Sequence, residues 1–111
     1  MKIFGKWDSS SIVIKDAGLT PYINNTNQLS VHTFGATVSS KKNKEKINIV
    51  ERLINKLMRS GQGKKKLGGK FYRGRKNCGQ KLTVLKNVDS AFDIVAEKTK
   101  KNPIQVLVDA L

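Results

Sequence analysis

One hundred and eleven residues can enclose a single modest core, and an apolar fraction of 38% is low for a globular chain yet too high for full disorder. A formal charge of +14 and a pI near 10.2 point to an acidic polymer or an anionic surface as partner. One cysteine excludes an internal disulfide, one histidine excludes a multi-histidine metal site, and no apolar run approaches the length of a transmembrane helix.

The opening residues, Met1 to Lys15, carry Ile3, Phe4 and Trp7 and then Ile12-Val13-Ile14. They read as an irregular or short extended segment that uses Trp7 as a packing anchor. No apolar export signal follows Met1-Lys2-Ile3, so a reducing, cytoplasmic compartment is expected. Asp16-Ala17-Gly18-Leu19-Thr20-Pro21 is a turn by composition, and Tyr22-Ile23 is a second apolar foothold. Asn24 to Ser40 is polar and reads as a loop, within which His32 is a surface or RNA-facing imidazole rather than a catalytic base.

Positive charge begins at Lys41. Between Lys41 and Lys86 lie 16 basic residues and two acidic ones, Glu45 and Glu51, so this window holds the whole formal excess, while the two ends of the chain balance internally. Within it Val50, Leu53, Ile54, Leu57 and Met58 recur at helical spacing, with Glu51, Arg52, Asn55 and Lys56 assigned to the opposite face. Asn48 is the N-cap, Lys56 and Arg59 complement the C-terminal dipole, and Gly61 suits the residue beyond the end.

From Arg59 to Lys86 there are ten Lys or Arg, six Gly and no acidic residue. This stretch reads as a basic loop, an insert over 60–81, before a second helix from about Leu82 to Thr99 whose inner face is Leu85, Val88, Ala91, Phe92 and Val95. Lys86, Asp89, Asp93, Glu97 and Lys100 lie outside, and Asp93 and Glu97 each have a basic neighbour one turn away at most. Asn102-Pro103 stops that helix and starts a third, with Gln105 where a capping box wants Glu or Gln and a stripe of Ile104, Leu107, Val108 and Leu111. A stripe that runs to Leu111 without a C-cap reads as part of something longer.

Catalytic chemistry has little to build on. Cys78, in Lys76-Asn77-Cys78-Gly79, has no second thiol nearby and reads as incidental. Gly63 to Gly68 has the glycine spacing of a phosphate loop, but Gly69-Lys70 stands where Lys and Ser/Thr are required, and a helix precedes it. The basic window is the signal that remains. Cations at this density neutralise phosphates and release counterions, giving strong affinity with no sequence preference. Lys64, Lys65, Lys66, Lys70, Lys76 and Lys81 supply the charge, and Arg73 and Arg75 can take bidentate phosphate or guanine contacts. Phe71 and Tyr72 either stack on unpaired bases or pin the loop to the helices. No cofactor and no metal is called for.

Three blocks then resemble the small-subunit ribosomal protein seven family of the archaeal and eukaryotic type. They are Ile49-Val50-Glu51-Arg52-Leu53-Ile54-Asn55-Lys56-Leu57-Met58-Arg59-Ser60-Gly61, Ala91-Phe92-Asp93-Ile94-Val95 with Glu97-Lys98-Thr99, and Asn102-Pro103-Ile104-Gln105-Val106-Leu107-Val108. Phe4-Gly5-Lys6-Trp7, Pro21-Tyr22-Ile23-Asn24 and Val31-His32-Thr33 are similar too. The resemblance implies a non-enzymatic ribosomal constituent that binds rRNA of the small-subunit head domain, helps nucleate head assembly, touches neighbouring small-subunit proteins, and lies near the exit-site tRNA and the messenger exit path. Carried over by position, rRNA contacts fall on Lys41, Lys42, Lys44, Lys46, Lys56 and Arg59 and on the basic insert.

The family continues past the third helix into a β-hairpin and further helices, which these residues lack. Where members carry Gly-Arg after the His-Thr pair, this chain has Phe34-Gly35-Ala36. The expected fold is therefore mainly α: a small bundle of three helices with an irregular N-terminal extension over 1–45, a helical rRNA-binding core over 46–111 and a basic insert between the first two helices. The rival readings are a nucleoid-type cationic DNA-binding protein and, more weakly, a membrane-surface protein, which the lack of a lipid-anchor motif disfavours.

Overall fold

The computed structural model describes residues 2–25, 29, 45–59, 61–73 and 79–111. The chain begins as a small antiparallel hairpin, β1 (Lys2–Ile3) against β2 (Trp7–Asp8), with Lys2 opposite Asp8 and Ile3 opposite Trp7. The reversal needs left-handed backbone at Phe4 (φ 54°) and Gly5 (φ 70°). That conformation is uncommon for a bulky side chain. Here the Phe4 ring is seated edge-to-face on Phe92, centroids 6.1 Å apart, a contact that offsets the backbone cost. Trp7 packs half-buried against the core, as the anchor reading expected.

A turn follows in which the Asp16 carboxylate accepts from the Gly18 N–H at 2.8 Å, and a single 3₁₀ turn spans Thr20–Tyr22 with Pro21 at its head. Of the apolar foothold only Ile23 is buried, since Tyr22 is exposed.

Helix α1 (Ile49–Leu57) starts at the expected cap, the Asn48 side chain accepting from the Val50 N–H at 3.0 Å. Its end differs from the expectation. Met58 closes the helix by donating to the Ile54 carbonyl, Arg59 donates to the Lys56 carbonyl in a tightened last turn, and Gly61 does not take a positive φ. A glycine cap is unnecessary because the Met58 carbonyl accepts from the distant Gly79 N–H at 3.1 Å. Two face assignments are also corrected. Leu57 is half-exposed, and Glu51, expected outside, is 3% exposed. Glu51 lies three residues before Ile54, so it borders the buried stripe and needs only an internal partner to go under.

The basic insert is not a plain loop. It contains a second antiparallel hairpin, β3 (Gln62–Leu67) against β4 (Lys70–Arg73), with Leu67 opposite Lys70, Lys66 opposite Phe71 and Gln62 opposite Arg73. A register irregularity lies between Gln62 and Lys66. The two residues at its tip, Gly68 (φ 58°) and Gly69 (φ 78°), both hold positive φ, the requirement of a tight two-residue hairpin turn. This hairpin precedes α2 and is a different element from the family hairpin expected beyond the third helix.

Helix α2 (Lys81–Thr99) starts one residue before the expected position and buries Val88 and Phe92, with Leu85 and Val95 partly covered. Ala91, expected on the inner face, is exposed, at the edge of the stripe that Val88 and Phe92 bury. Left-handed Lys100 (φ 53°) ends the helix, donating to the Ala96 carbonyl at 2.8 Å. Helix α3 (Pro103–Ala110) opens as predicted with Pro103 at its first position and the Asn102 side chain accepting from the Ile104 N–H. Gln105 closes no capping box. Its amide instead grips the backbone of Val13, accepting from the N–H and donating to the carbonyl, each at 2.9 Å. Leu111, expected on the buried stripe, is exposed.

The core is one cluster drawn from the N-terminal segment and the three helices: Ile3, Ile23, Ile49, Val50, Ile54, Val88, Phe92, Ile104 and Val108. Ile54 and Ile104 are fully inaccessible. Packing runs from α1 to α2 and from α2 to α3, whereas β3 and β4 pack chiefly on each other. No described helix is long and apolar enough to cross a membrane.

Candidate nucleic-acid interface

The cations of the basic window divide into those held inside the fold and those presented outward. Arg52 is held: its guanidinium donates to the Tyr22 carbonyl at 2.7 Å and ties α1 to the N-terminal segment. Lys81 is held more firmly. Its ammonium donates to the Glu51 carboxylate at 2.9 Å, and both side chains are 4% exposed. Lys81 was expected to meet phosphate, but a buried ammonium already neutralised by a carboxylate is not available to one, so it leaves the candidate set.

Outside the helical core, Lys46 precedes α1, while Lys56 and Arg59 sit at its C-terminal end, and all three are exposed. Arg59 leads directly into the hairpin, where Lys66 and Lys70 are also exposed. Lys64 and Lys65 belong to β3, and Phe71, Tyr72 and Arg73 to β4. Lys41, Lys42, Lys44, Arg75 and Lys76 lie outside the described residues, as do His32, Cys78 and most of the Asn24–Ser40 stretch. Among the described residues, exposed cations thus stand at the end of α1 and again in the hairpin that follows it in the chain.

Four acidic side chains outside the window, Asp8, Asp89, Asp93 and Asp109, are engaged elsewhere in the fold. Lys6 bridges Asp89 (3.2 Å) and Asp93 (2.9 Å) on α2, and Lys15 pairs with Asp109 at 3.1 Å. The hydrogen bonds to Asp93 and then Asp89 raise the Lys6 pKa above its ordinary value. Asp109 is held below the usual carboxylate range by its bond from Lys15 first and from Gln105 second. Asp8 is lowered chiefly by the Ser10 backbone N–H, which donates to its carboxylate at 3.1 Å. These carboxylates are engaged within the N-terminal segment, α2 and α3. Asp93, expected to rely on a basic neighbour one turn away, instead shares with Asp89 a partner from the β1–β2 turn.

A family model described as "Ribosomal protein S7p/S5e" matches residues 22–111. The chain belongs to that family. Among curated relatives, a protein of Methanococcoides burtonii called small ribosomal subunit protein uS7 is 44% identical over 110 residues, covering 99% of this chain and 52% of the relative. Proteins of the same name from Methanococcus maripaludis and Methanothrix thermoacetophila are 41% and 40% identical over all 111 residues. The chain spans about half the length of the curated relatives it matches.

Glu51 and the Gly68-Gly69 turn are the features that sequence reading missed. A Gly-Gly pair between extended segments is a known hairpin signal, obscured here by the density of lysine around it. Glu51 carried a weaker sign, its place beside the apolar stripe.

Proposed function

We propose that this chain is a structural, non-catalytic constituent of the cytoplasmic small ribosomal subunit that binds rRNA of the head domain and helps nucleate head assembly beside neighbouring subunit proteins, close to the exit-site tRNA and the messenger exit path. Membership of the S7 family supports the ribosomal role. The observation that carries the RNA contact is the concentration of the whole +14 excess in one window, with Lys46, Lys56, Arg59, Lys66 and Lys70 exposed along it.

The mechanism is adhesion. The helical core is the platform, and Lys41, Lys42, Lys44, Lys46, Lys56 and Arg59 grip phosphates on the approach to α1 and at its end. The hairpin and the residues after it add Lys64, Lys65, Lys66, Lys70, Arg73, Arg75 and Lys76, with Phe71 and Tyr72 available for stacking on unpaired bases. Competition binding at near-physiological salt tests this reading, with folded head-domain rRNA, random duplex DNA and anionic vesicles as competitors. The head-domain rRNA should displace the label first, and equal competition by all three would remove the ribosomal reading.

A further inference from the structure

We infer that the buried Glu51–Lys81 pair is a clasp that orients the basic hairpin toward RNA, acting as a positioning device rather than as a contact. The inference rests on the RNA-binding reading of the hairpin. The insert leaves the core at Met58 and returns at Gly79, and two links tie those points together. One is the hydrogen bond from the Gly79 N–H to the Met58 carbonyl at 3.1 Å. The other is the 2.9 Å ion pair between Lys81, the first residue of α2, and Glu51 on α1. Glu51 and Met58 are seven residues apart, about 10 Å along the helix axis, so the links are well separated along α1. Two separated links fix a direction, whereas one fixes only a point.

The hairpin depends on that base. Its strands pack chiefly on each other, while α1 packs on α2. Its orientation therefore follows from how α2 is set on α1 at the first turn. A buried ion pair is a poor way to gain stability, since an apolar pair of similar volume serves as well. Its distinctive property is that each charge, once buried, needs an opposite partner, so the start of α2 is held where Lys81 meets Glu51, and the base of the hairpin is held with it.

The sign of one substitution separates this role from simple electrostatics. Glu51→Gln raises the net charge by one and leaves every exposed cation in place, so phosphate attraction alone predicts equal or tighter RNA binding. The clasp predicts the reverse, a loss of roughly five-fold in affinity, within the range of measured couplings between interacting residues. Glu51→Asp keeps the charge but shortens the reach, and should weaken binding with no change in net charge. The exchange variant E51K/K81E should recover affinity.

Each is measured by filter binding to a head-domain rRNA transcript, with far-UV circular dichroism confirming helicity, and E51D serves if E51Q loses it. The same measurements are made in a K64Q/K65Q/K66Q background, where the penalty of E51Q or E51D should shrink toward nothing because a hairpin without its charge gains little from being aimed. Equal or tighter binding by E51Q and E51D overturns the clasp, and so does an undiminished penalty in the neutralised background, which marks general destabilisation. If K64Q/K65Q/K66Q binds as tightly as the parent, it is the RNA reading of the hairpin that fails, and the clasp falls with it.

Discussion

Asn48 and Asn102 hold equivalent posts at the heads of α1 and α3, each accepting from the N–H two residues on, at 3.0 and 3.1 Å. Asn102 has a second duty, since its amide donates to the Asp8 carbonyl at 2.7 Å. Replacing Asn48 with Ala should cost about 1 kcal/mol of stability, read from chemical denaturation. Asn102→Ala should cost more than Asn48→Ala in the same assay, because the link to β2 goes with the cap. Deletion at Ile54 is a larger insult. The side chain is fully buried among α1, α2 and α3 residues, so Ile54→Ala should cost about 2–5 kcal/mol.

Asp109 and Asp8 give stability an acid limit. Each carboxyl titrates lower in the folded chain than in the unfolded one. Across that window the unfolded state binds more protons, so the contribution is whole above the ordinary value of about 3.9 and is lost as pH falls through the folded pKa. Urea midpoints taken downward from about pH 5 should fall for the parent and fall less steeply for Asp109→Asn. Lys6 works in the opposite sense. Its stabilising bonds to Asp93 and Asp89 are fully present below its ordinary pKa and are lost as pH rises through the raised folded value. The groups are solvent-exposed, so the slopes should be shallow and flatten with added salt.

At the scale of elements, legibility followed the range of the forces involved. The three helices could be read from periodicity, and two of their caps from Asn48 and Asn102-Pro103, because those signals are local. Glu51 was misread because its partner lies 30 residues away, and Lys81 was misread for the same reason seen from the other end. Gln105 shows the limit most clearly: its spacing fits a capping box, yet the backbone of Val13, 92 residues distant, competes for the same amide and holds it. The hairpin was legible in principle. Gly68 and Gly69 encode its turn, and Gly69→Val should cost about 1–2 kcal/mol at the tip, where a β-branched side chain meets a φ of +78°. That variant should keep its helical circular dichroism while losing RNA affinity, since β3 and β4 pack chiefly on each other and the helical core does not need them.

For the molecule as a whole, the separation of core from charge sets its behaviour toward polyanions. Lys6, Lys15 and Lys81 engage Asp89, Asp93, Asp109 and Glu51, while Lys56, Arg59 and Lys70 stay exposed near α1 and in the hairpin. If roughly eight of the cations of the basic window meet phosphates, the slope of log K against log salt should be on the order of −6 to −7. Neutralising Lys56 and Arg59 together should make that slope shallower by roughly 1 to 2, whereas Lys81, buried against Glu51, adds no phosphate contact of its own to it. The candidate site was legible at this scale because charge excess is a sum over residues. Which cations are turned inward was not, because that depends on partners that only folding supplies.

The grip of Gln105 on Val13 has a consequence in time. At a synthesis rate of about 5–20 residues per second, Val13 leaves the ribosome some 5 to 18 seconds before the side chain that will hold it. Ile3 and Phe4 wait similarly for Phe92. The segment around Val13 is thus made well before the residues that seat it, and during translation its apolar side chains remain open to whatever else the nascent chain meets.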